Sequence, residues 1–234
     1  MIPQQRTEAE SPALKRLLQF CKIHRYGKRR PVIRPGDPAD TLYYILEGSV
    51  TVSMTNEDGD DIILGYLNRG DFIGELGLFL PRRNREVLVR TRTPCTIAQI
   101  GYDHLERLAK RELKEVYADI VLLVGRHVAE RLVHTTRKVG HLAFLDTAGR
   151  IAHTLLELCR QPDALTHPDG MQIHISRTEL ARIVGCSREM VGRVLKNMEA
   201  QGLISAHGKT LVVFGDREAL LDPERDVSLL RPAD

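Results

Sequence analysis

The chain has 234 residues, of which 42% are hydrophobic and 28% are charged, a composition that fits a soluble globular protein, most simply one of two small domains. The formal net charge is only +3. The surface as a whole therefore does not attract polyanions, and any affinity for nucleic acid must come from local clusters of charge.

No stretch approaches the roughly 18 to 20 uninterrupted apolar residues of a membrane span, and residues 1–10 are polar rather than signal-like. We therefore expect a cytoplasmic protein without a membrane partner. The four cysteines lie far apart, with no CxxC pair: Cys21, Cys95, Cys159 and Cys186. This spacing indicates neither a zinc knuckle nor a disulfide framework, and we interpret them as buried or idle thiols.

Residues 33–100 consist of short apolar runs separated by turn signals. The turns recur about every ten residues at Pro35-Gly36-Asp37, Glu47-Gly48, Asp58-Gly59-Asp60 and Arg69-Gly70-Asp71. Between them, apolar residues either alternate with polar ones or run together. This pattern predicts an antiparallel β-roll or barrel.

Residues 112–139 show the apolar spacing of one long helix, at Leu113, Val116, Tyr117, Ile120, Leu123, Val124, Val128 and Leu132. Such a helix is about 40 Å long, more than one small roll covers. The uncovered face needs a partner, and the same helix of a second copy is the simplest one, so we predict a homodimer.

Three histidines recur every seven residues on this helix: His127, His134 and His141. Positions seven apart are separated by roughly 10 Å along a helix, too far for one ion to be held from a single helix. We therefore expect solvated or packed histidines and no metal site.

Residues 146–215 are predicted to be helical and then to end in two short strands around "AHGKT". Ser176 and Glu179 form a capping box that opens a short helix. Gly185-Cys186-Ser187 then makes a tight turn, and Ser187 caps a second helix over about 188–201. The two helices form a helix-turn-helix, and the strands form a wing.

The outward face of the second helix carries Arg188, Glu189 and Arg193 in its first turns, the part that meets base edges when such a helix lies in the major groove. Arginine bonds guanine bidentately and glutamate accepts from cytosine. The alternative is a Glu189/Arg193 surface pair in a helical hairpin. The wing that follows favours recognition of double-stranded DNA.

No catalytic motif is evident. "HGKT" resembles the end of a phosphate-binding P-loop, but that motif requires glycine where this chain has Leu203. GxSxG, HExxH and GxGxxG are also missing from the sequence. We predict that the protein is not an enzyme and has no catalytic cofactor.

Residues 33 to about 215 resemble the cyclic AMP receptor protein family of bacterial transcription regulators. The matching stretches are "GDFIGELGLF", "KVGHLAFLD", "QPDALTHPDGMQI", "IVGCSREMVGR" and "ISAHGKT". The resemblance implies an α+β fold with a cyclic-nucleotide-binding β-roll (1–110), a dimerisation helix (111–143), a winged helix-turn-helix (144–216) and a C-terminal tail (217–234). We leave open whether the tail packs on the wing or is mobile.

The resemblance also implies contact residues for two macromolecular partners. It marks Arg188, Glu189 and Arg193 as base-reading residues. We add as DNA-contact candidates Arg177, Ser187, Lys196 and Lys209. It further implies that the surface loop 161–170, with Thr166, His167 and Asp169, contacts RNA polymerase.

A ligand site is implied for the stretch "DFIGELGLFLPRRNREVLVRT". In the family, the residues at the positions of Gly74 and Glu75 hold the ribose, and the arginine at the position of Arg85 pairs with the cyclic phosphate. Thr135 and Thr136 stand where the central helix meets the base, Thr136 from the other subunit. The alternative is a structural Glu75–Arg85 pair.

Glu86 departs from the family pattern, which has serine there. A carboxylate brings negative charge near the phosphate and disfavours cyclic AMP unless it turns to solvent. "REVLVRTRT" is similar to the catabolite activator-like branch, whose members are thought to bind DNA without ligand and to be released by cyclic di-GMP. Arg82 and Arg83 would then meet a second phosphate, or else form a solvated loop.

The sequence therefore predicts a homodimeric transcription regulator that binds a palindromic operator, with cyclic di-GMP or cyclic AMP as its allosteric ligand. The competing hypothesis is a cyclic-nucleotide-binding subunit that controls a partner enzyme and never contacts DNA. The charged face of the second helix argues against that hypothesis.

Overall fold

The computed structural model describes residues 11–57, 59–81, 84–216 and 220–221. The chain forms two compact units, and the division falls within its longest helix, between Thr136 and Arg137. Among the described residues, no helix combines the length and the hydropathy needed to cross a bilayer.

The first unit contains eight strands and the helices that cover them. Its elements are α1 (Pro12–Leu18), β1 (Lys22–Tyr26), β2 (Pro31–Ile33), β3 (Thr41–Glu47), β4 (Ser49–Thr55), β5 (Asp61–Asn68), β6 (Phe72–Ile73), the short 3-10 helix Glu75–Leu78, β7 (Leu88–Thr91), β8 (Cys95–Gly101) and α2 (Tyr102–Ala109). The strands form two four-stranded antiparallel sheets, in the orders β1-β8-β3-β6 and β2-β7-β4-β5. The predicted antiparallel roll is confirmed.

The alternation of apolar residues explains how the first of these sheets is buried on both faces. On β8, Cys95 and Ile97 belong to a core cluster shared with the second sheet, whereas Ala98 and Ile100 belong to a cluster shared with α1 and α2. Successive residues of a strand point to opposite faces. The sheet that carries β6 and the following 3-10 helix is therefore held rigidly from both sides.

The long helix α3 runs from Tyr117 to Phe144, so it begins and ends five residues later than the sequence predicts. Residues 110–116 form successive turns instead, with i→i−3 bonds such as Lys114 N to Arg111 O at 3.2 Å. Leu113 within these turns is fully buried. Apolar residues three apart fit a series of tight turns as well as a helix, because both return the chain about every three residues.

One face of α3 is buried and another is apolar but exposed. Ile120, Leu123 and Val124 are buried in the first unit. The exposed apolar residues of the helix are Leu122, Leu132, Val133, Val139, Leu142 and Phe144. A single chain thus leaves a large part of the apolar surface of this helix in contact with water.

The second unit contains the predicted helix-turn-helix and wing. Its elements after α3 are α4 (Thr147–Cys159), β9 (Leu165–His167), β10 (Gly170–His174), α5 (Arg177–Val184), α6 (Arg188–Ala200), β11 (Ile204–His207) and β12 (Thr210–Phe214). The strands form one antiparallel sheet in the order β11-β12-β10-β9. Both predicted serine caps are present: Ser176 Oγ accepts from Glu179 N and Ser187 Oγ accepts from Met190 N, each at 3.1 Å.

Two segments of this unit differ from what the sequence suggests. The expected surface loop 161–170 is largely a hairpin, because Leu165–His167 pairs with β10 and extends the wing sheet. In the tail, Leu220 is buried and its carbonyl accepts a 3.2 Å bond from Arg160 Nε. Two further leucines of the tail, Leu229 and Leu230, lie outside the described residues.

Candidate ligand site and nucleic-acid interface

The turn after β6 can be made only by glycine. Gly74 has a left-handed backbone, with φ 86° and ψ 6°. A Cβ at this position would lie 2.7 Å from Thr41 O and 2.9 Å from both terminal nitrogens of Arg85. The turn therefore brings its backbone against the guanidinium of Arg85 with no room for a side chain.

Glu75 presents a buried carboxylate with one unused oxygen. The residue is 2% exposed, and its Oε1 accepts from Arg131 Nη1 at 2.5 Å. Oε2 is buried without a hydrogen-bond partner among the described residues. Leaving a buried acceptor unpaired costs about 1 to 3 kcal/mol, so this atom suits a ligand hydroxyl.

Arg131 is a residue of this site that the sequence analysis missed. Its Nη2 also donates to Phe72 O at 2.9 Å, so one guanidinium ties α3 to both β6 and Glu75. The ion-pair partner of Glu75 is therefore Arg131, and the alternative of a structural Glu75–Arg85 pair is wrong. A buried carboxylate usually has a cationic partner, and this is the signal that could have suggested such a residue. Arg131 and Glu75 are 56 residues apart in sequence, however, so local spacing does not identify the pair.

Arg85 is held at the other side of the Gly74 turn. Its backbone bonds to a neighbouring turn, with Arg85 N donating to Asp37 O and Arg85 O accepting from Gly36 N, both at 2.8 Å. Its Nη2 donates to Thr41 O at 2.6 Å and to Tyr102 Oη at 3.3 Å. Arg85 as a residue is half-buried, so it is not fully enclosed by the protein.

Glu86 is exposed and makes no hydrogen bond or ion pair with the residues that the structure describes. It follows Arg85 directly in the chain. Arg82 and Arg83, the other candidates for phosphate contact, lie outside the described residues.

Thr135 and Thr136 lie one turn beyond Arg131 on α3, and both are exposed. Thr136 Oγ1 donates to Leu132 O at 2.9 Å, within its own helix. Arg131 of the same helix contacts Glu75 and Phe72, and the two threonines follow it along α3.

The helix α6 separates a buried apolar side from an exposed charged side. Val191, Leu195 and Met198 are buried. The predicted DNA-contact residues of α6 and its flanks are all exposed: Arg177, Ser187, Arg188, Glu189, Arg193, Lys196 and Lys209. The side chains with which a recognition helix reads base edges are therefore available at its N-terminal half.

Glu189 and Arg193 form the surface pair considered above, with Glu189 Oε1 and Arg193 Nη2 2.8 Å apart. Their side chains are 78% and 67% exposed, and a pair of this kind stabilises a helix by only about 0.2 to 0.5 kcal/mol. Breaking it to contact bases therefore costs little.

The candidate polymerase-contact residues lie at the β9–β10 hairpin. Thr166 and Asp169 are exposed and His167 is half-buried. His167 Nδ1 accepts from Asp169 N at 3.2 Å. The hairpin presents these side chains on an ordered turn rather than on an open loop.

Comparison with known proteins places both halves of the chain. Residues 23–112 match the cyclic nucleotide-binding domain and residues 149–222 match the Crp-like helix-turn-helix domain. The chain is 53% identical over 206 residues to the cAMP-activated global transcriptional regulator CRP of Salmonella typhimurium, covering 88% of this chain and 96% of that protein. The chain belongs to the Crp family of transcription regulators.

Two further relatives differ from each other in the nucleotide to which they respond. This Crp-family regulator is 52% identical over 207 residues to the cAMP-activated global transcriptional regulator Vfr of Pseudomonas aeruginosa (87% of this chain, 94% of Vfr). The solved structure of the c-di-GMP responsive global regulator CLP of Xanthomonas campestris matches with a TM-score of 0.83 and 46% identity, covering 87% of this chain and 99% of that one. These relatives are transcription regulators and not enzymes.

The histidines of this Crp-family regulator have separate surroundings. His127 is buried, with Nδ1 3.7 Å from Asp71 Oδ1, whereas His141 stacks on His153 with ring centroids 4.2 Å apart. Over the described ranges, no three His, Cys, Asp or Glu side chains come together in a way that could hold a metal ion.

All four cysteines of the regulator are free thiols. Burial raises the pKa of Cys21 and of Cys159 to about 12, and burial also raises the pKa of Cys95 and of Cys186. A raised pKa keeps a thiol protonated and unreactive near neutral pH.

Proposed function

We propose that this Crp-family regulator is a homodimer that binds a palindromic operator and responds to a cyclic nucleotide, activating some promoters and repressing others. The observation that carries DNA binding is α6, whose charged N-terminal half is exposed over a buried apolar side. The half-sites of the operator should lie about one helical turn apart, because a two-fold dimer presents two recognition helices to successive major grooves.

The apolar face of α3 supports dimerisation. Leu132 and Val139 lie seven residues apart on this helix, and both are exposed in a single chain. Apolar residues at this spacing form the seam between two helices that pack side by side. A second copy of α3 covers this face through an isologous contact.

The Gly74–Glu75 turn and Arg85 support a ligand with both hydroxyl and phosphate groups. Glu75 Oε2 is a buried acceptor without a partner among the described residues, which suits a ribose hydroxyl, and the guanidinium of half-buried Arg85 matches phosphate geometry. We assign the ribose to Glu75 and the phosphate to Arg85, with Thr135 and Thr136 toward the base.

Cyclic di-GMP is the ligand that we favour, acting to release the protein from DNA. Glu86, which follows Arg85 directly and is exposed, offers acceptors to guanine N1–H and N2–H. The likeness to CLP, a c-di-GMP responsive regulator, supports the same ligand. If the free protein is the DNA-binding form, the ligand weakens DNA binding by the same factor as DNA weakens ligand binding.

Cyclic AMP is the second candidate, as an activator. The exposure of Glu86 removes most of the repulsion that its carboxylate would exert on a phosphate held by Arg85, because charges are screened in water. The 53% and 52% identity to cAMP-activated regulators points the same way.

The β9–β10 hairpin supports a contact with RNA polymerase. Thr166 and Asp169 are exposed on it, and the pairing of Leu165–His167 with β10 keeps the turn in one conformation. An ordered, exposed polar turn binds a protein surface without a large entropic cost.

We expect the purified protein to bind a labelled palindromic operator without ligand, and cyclic di-GMP to reverse that binding. Fluorescence anisotropy at fixed salt measures this, since phosphate contacts make the affinity salt-dependent. A duplex of equal length with scrambled half-sites is the control. Binding only with cyclic AMP establishes the second candidate, and no preference for the palindrome under any condition contradicts the proposed function.

The change Glu86→Ser is expected to raise affinity for cyclic AMP and to lower it for cyclic di-GMP, each by about 10- to 100-fold, the value of one charge-assisted hydrogen bond gained or lost. Isothermal titration calorimetry with each nucleotide measures the change. Glu57→Ser, at an exposed position in the β4–β5 turn, is the matched control. Unchanged affinity for both nucleotides would remove Glu86 from the site.

A further inference from the structure

Tyr102 occupies the junction of the two halves of the ligand site. It is the first residue of α2, directly after β8, and its ring is buried. Its backbone N donates to Asp40 O at 2.8 Å, next to Thr41, which binds Arg85. Tyr102 and the phosphate-binding Arg85 are therefore both bonded to backbone carbonyls at the start of β3.

The hydroxyl of Tyr102 connects the two functional groups directly. It donates to Gly74 O and accepts from Arg85 Nη2 at 3.3 Å. The only other acceptor that Arg85 Nη2 contacts within the described chain is Thr41 O. One oxygen atom thus links the arginine that meets the phosphate to the turn that presents Glu75.

We infer that Tyr102 is a positioning residue of the ligand site, which sets the distance between Arg85 and the Gly74–Glu75 turn so that the phosphate and ribose hydroxyl of one cyclic nucleotide are bound together. This inference rests on the proposed function. Tyr102 itself need not touch the ligand, because it acts through Arg85 and Gly74.

The glycine spacing of "GELG" supports this role. A Cβ at Gly77 would lie 2.5 Å from both Cε2 and Oη of Tyr102, closer than any real contact. Gly74 admits the Arg85 guanidinium and Gly77 admits the Tyr102 ring. Both glycines of the motif are therefore required by the same pair of side chains.

The protonation state of Tyr102 fits a hydroxyl that both donates and accepts. Burial raises its pKa, and the positive charge of Arg85 offsets part of that shift. The hydroxyl therefore stays protonated at neutral pH, as the bond to Gly74 O requires.

Tyr102→Phe removes only the hydroxyl and is expected to lower affinity for the cyclic nucleotide by about 3- to 10-fold, the value of one net hydrogen bond. Calorimetry with cyclic AMP and with cyclic di-GMP measures this. Adenosine, which lacks the phosphate, separates positioning of Arg85 from general damage to the site: its affinity should fall by less than that of either nucleotide, because adenosine loses only the effect that Tyr102 exerts through Gly74. Tyr117→Phe, at the start of α3, is the matched control. An unchanged nucleotide affinity, or an equal loss for adenosine, overturns the inference.

A second measurement does not depend on any ligand. Urea unfolding of Tyr102→Phe, Arg85→Ala and the double variant forms a cycle that isolates the energy of coupling between the two side chains. We expect clear non-additivity, and additive effects overturn the inference. If the wild-type protein binds none of the nucleotides, the proposed function fails, while the cycle still decides whether Tyr102 and Arg85 are coupled.

Discussion

Replacing Arg188 and Glu189 together with alanine is expected to lower operator affinity at least about 1000-fold. Each base contact by such side chains is worth about 1 to 3 kcal/mol of discrimination, and a dimer loses two at each half-site. Both side chains are exposed, and alanine favours helix, so α6 should remain folded under its Ser187 cap. Fluorescence anisotropy with the operator and with a scrambled duplex measures the loss of specific binding.

The matched control replaces Lys114 and Glu115, an exposed pair of opposite charge in the turns before α3. Their removal should leave operator affinity unchanged. Dimerisation and nucleotide affinity should be preserved in the Arg188/Glu189 variant, because neither side chain belongs to the first unit. Unaltered operator affinity in that variant would refute DNA reading by α6 and favour a regulatory subunit that acts on a protein partner.

Leu132→Asp is expected to convert the proposed dimer to a monomer. Leu132 is 65% exposed in the single chain, so the change costs little within one protomer. In a packed seam, however, it buries an unpaired charge from each copy, at a cost of about 3 to 5 kcal/mol per charge, which is at least about two orders of magnitude in the dissociation constant. Light scattering after size-exclusion chromatography measures the mass, and operator affinity should fall with the dimer.

Leu165→Asp provides the comparison, because Leu165 on β9 is 59% exposed but lies outside α3. This variant should keep the mass of the wild type. A Leu132→Asp protein that remains dimeric at micromolar concentration would show that another surface joins the two copies.

Features that depend on residues close in the chain were predictable from sequence. The caps at Ser176 and Ser187 each join atoms three residues apart, and the wing strands around His207 and Lys209 are adjacent in sequence. The turn glycines and alternating apolar residues of 33–100 likewise indicate an antiparallel roll. In each case the hydrogen bonds or the burial pattern are set within a few residues.

Features that depend on distant pairings were not predictable in this way. The predicted start of α3 was wrong because Leu113 is buried within a series of turns, and these turns have nearly the same apolar spacing as a helix. The hairpin at 161–170 was missed because Leu165–His167 is a strand only by pairing with β10.

Sequence patterns were sufficient for the architecture and for the charged face of α6, and the resemblance to the family placed Gly74, Glu75 and Arg85 as candidates for one ligand site. Tertiary structure decided which hydrogen-bond and ion-pair partners the residues of that site have. It paired Glu75 with Arg131 across 56 residues and joined Gly74 to Tyr102 across 28. The physical reason is that a buried polar atom takes whichever partner the fold brings within about 3 Å. That choice belongs to the packing of β6, β8 and α3, and no local pattern of residues contains it.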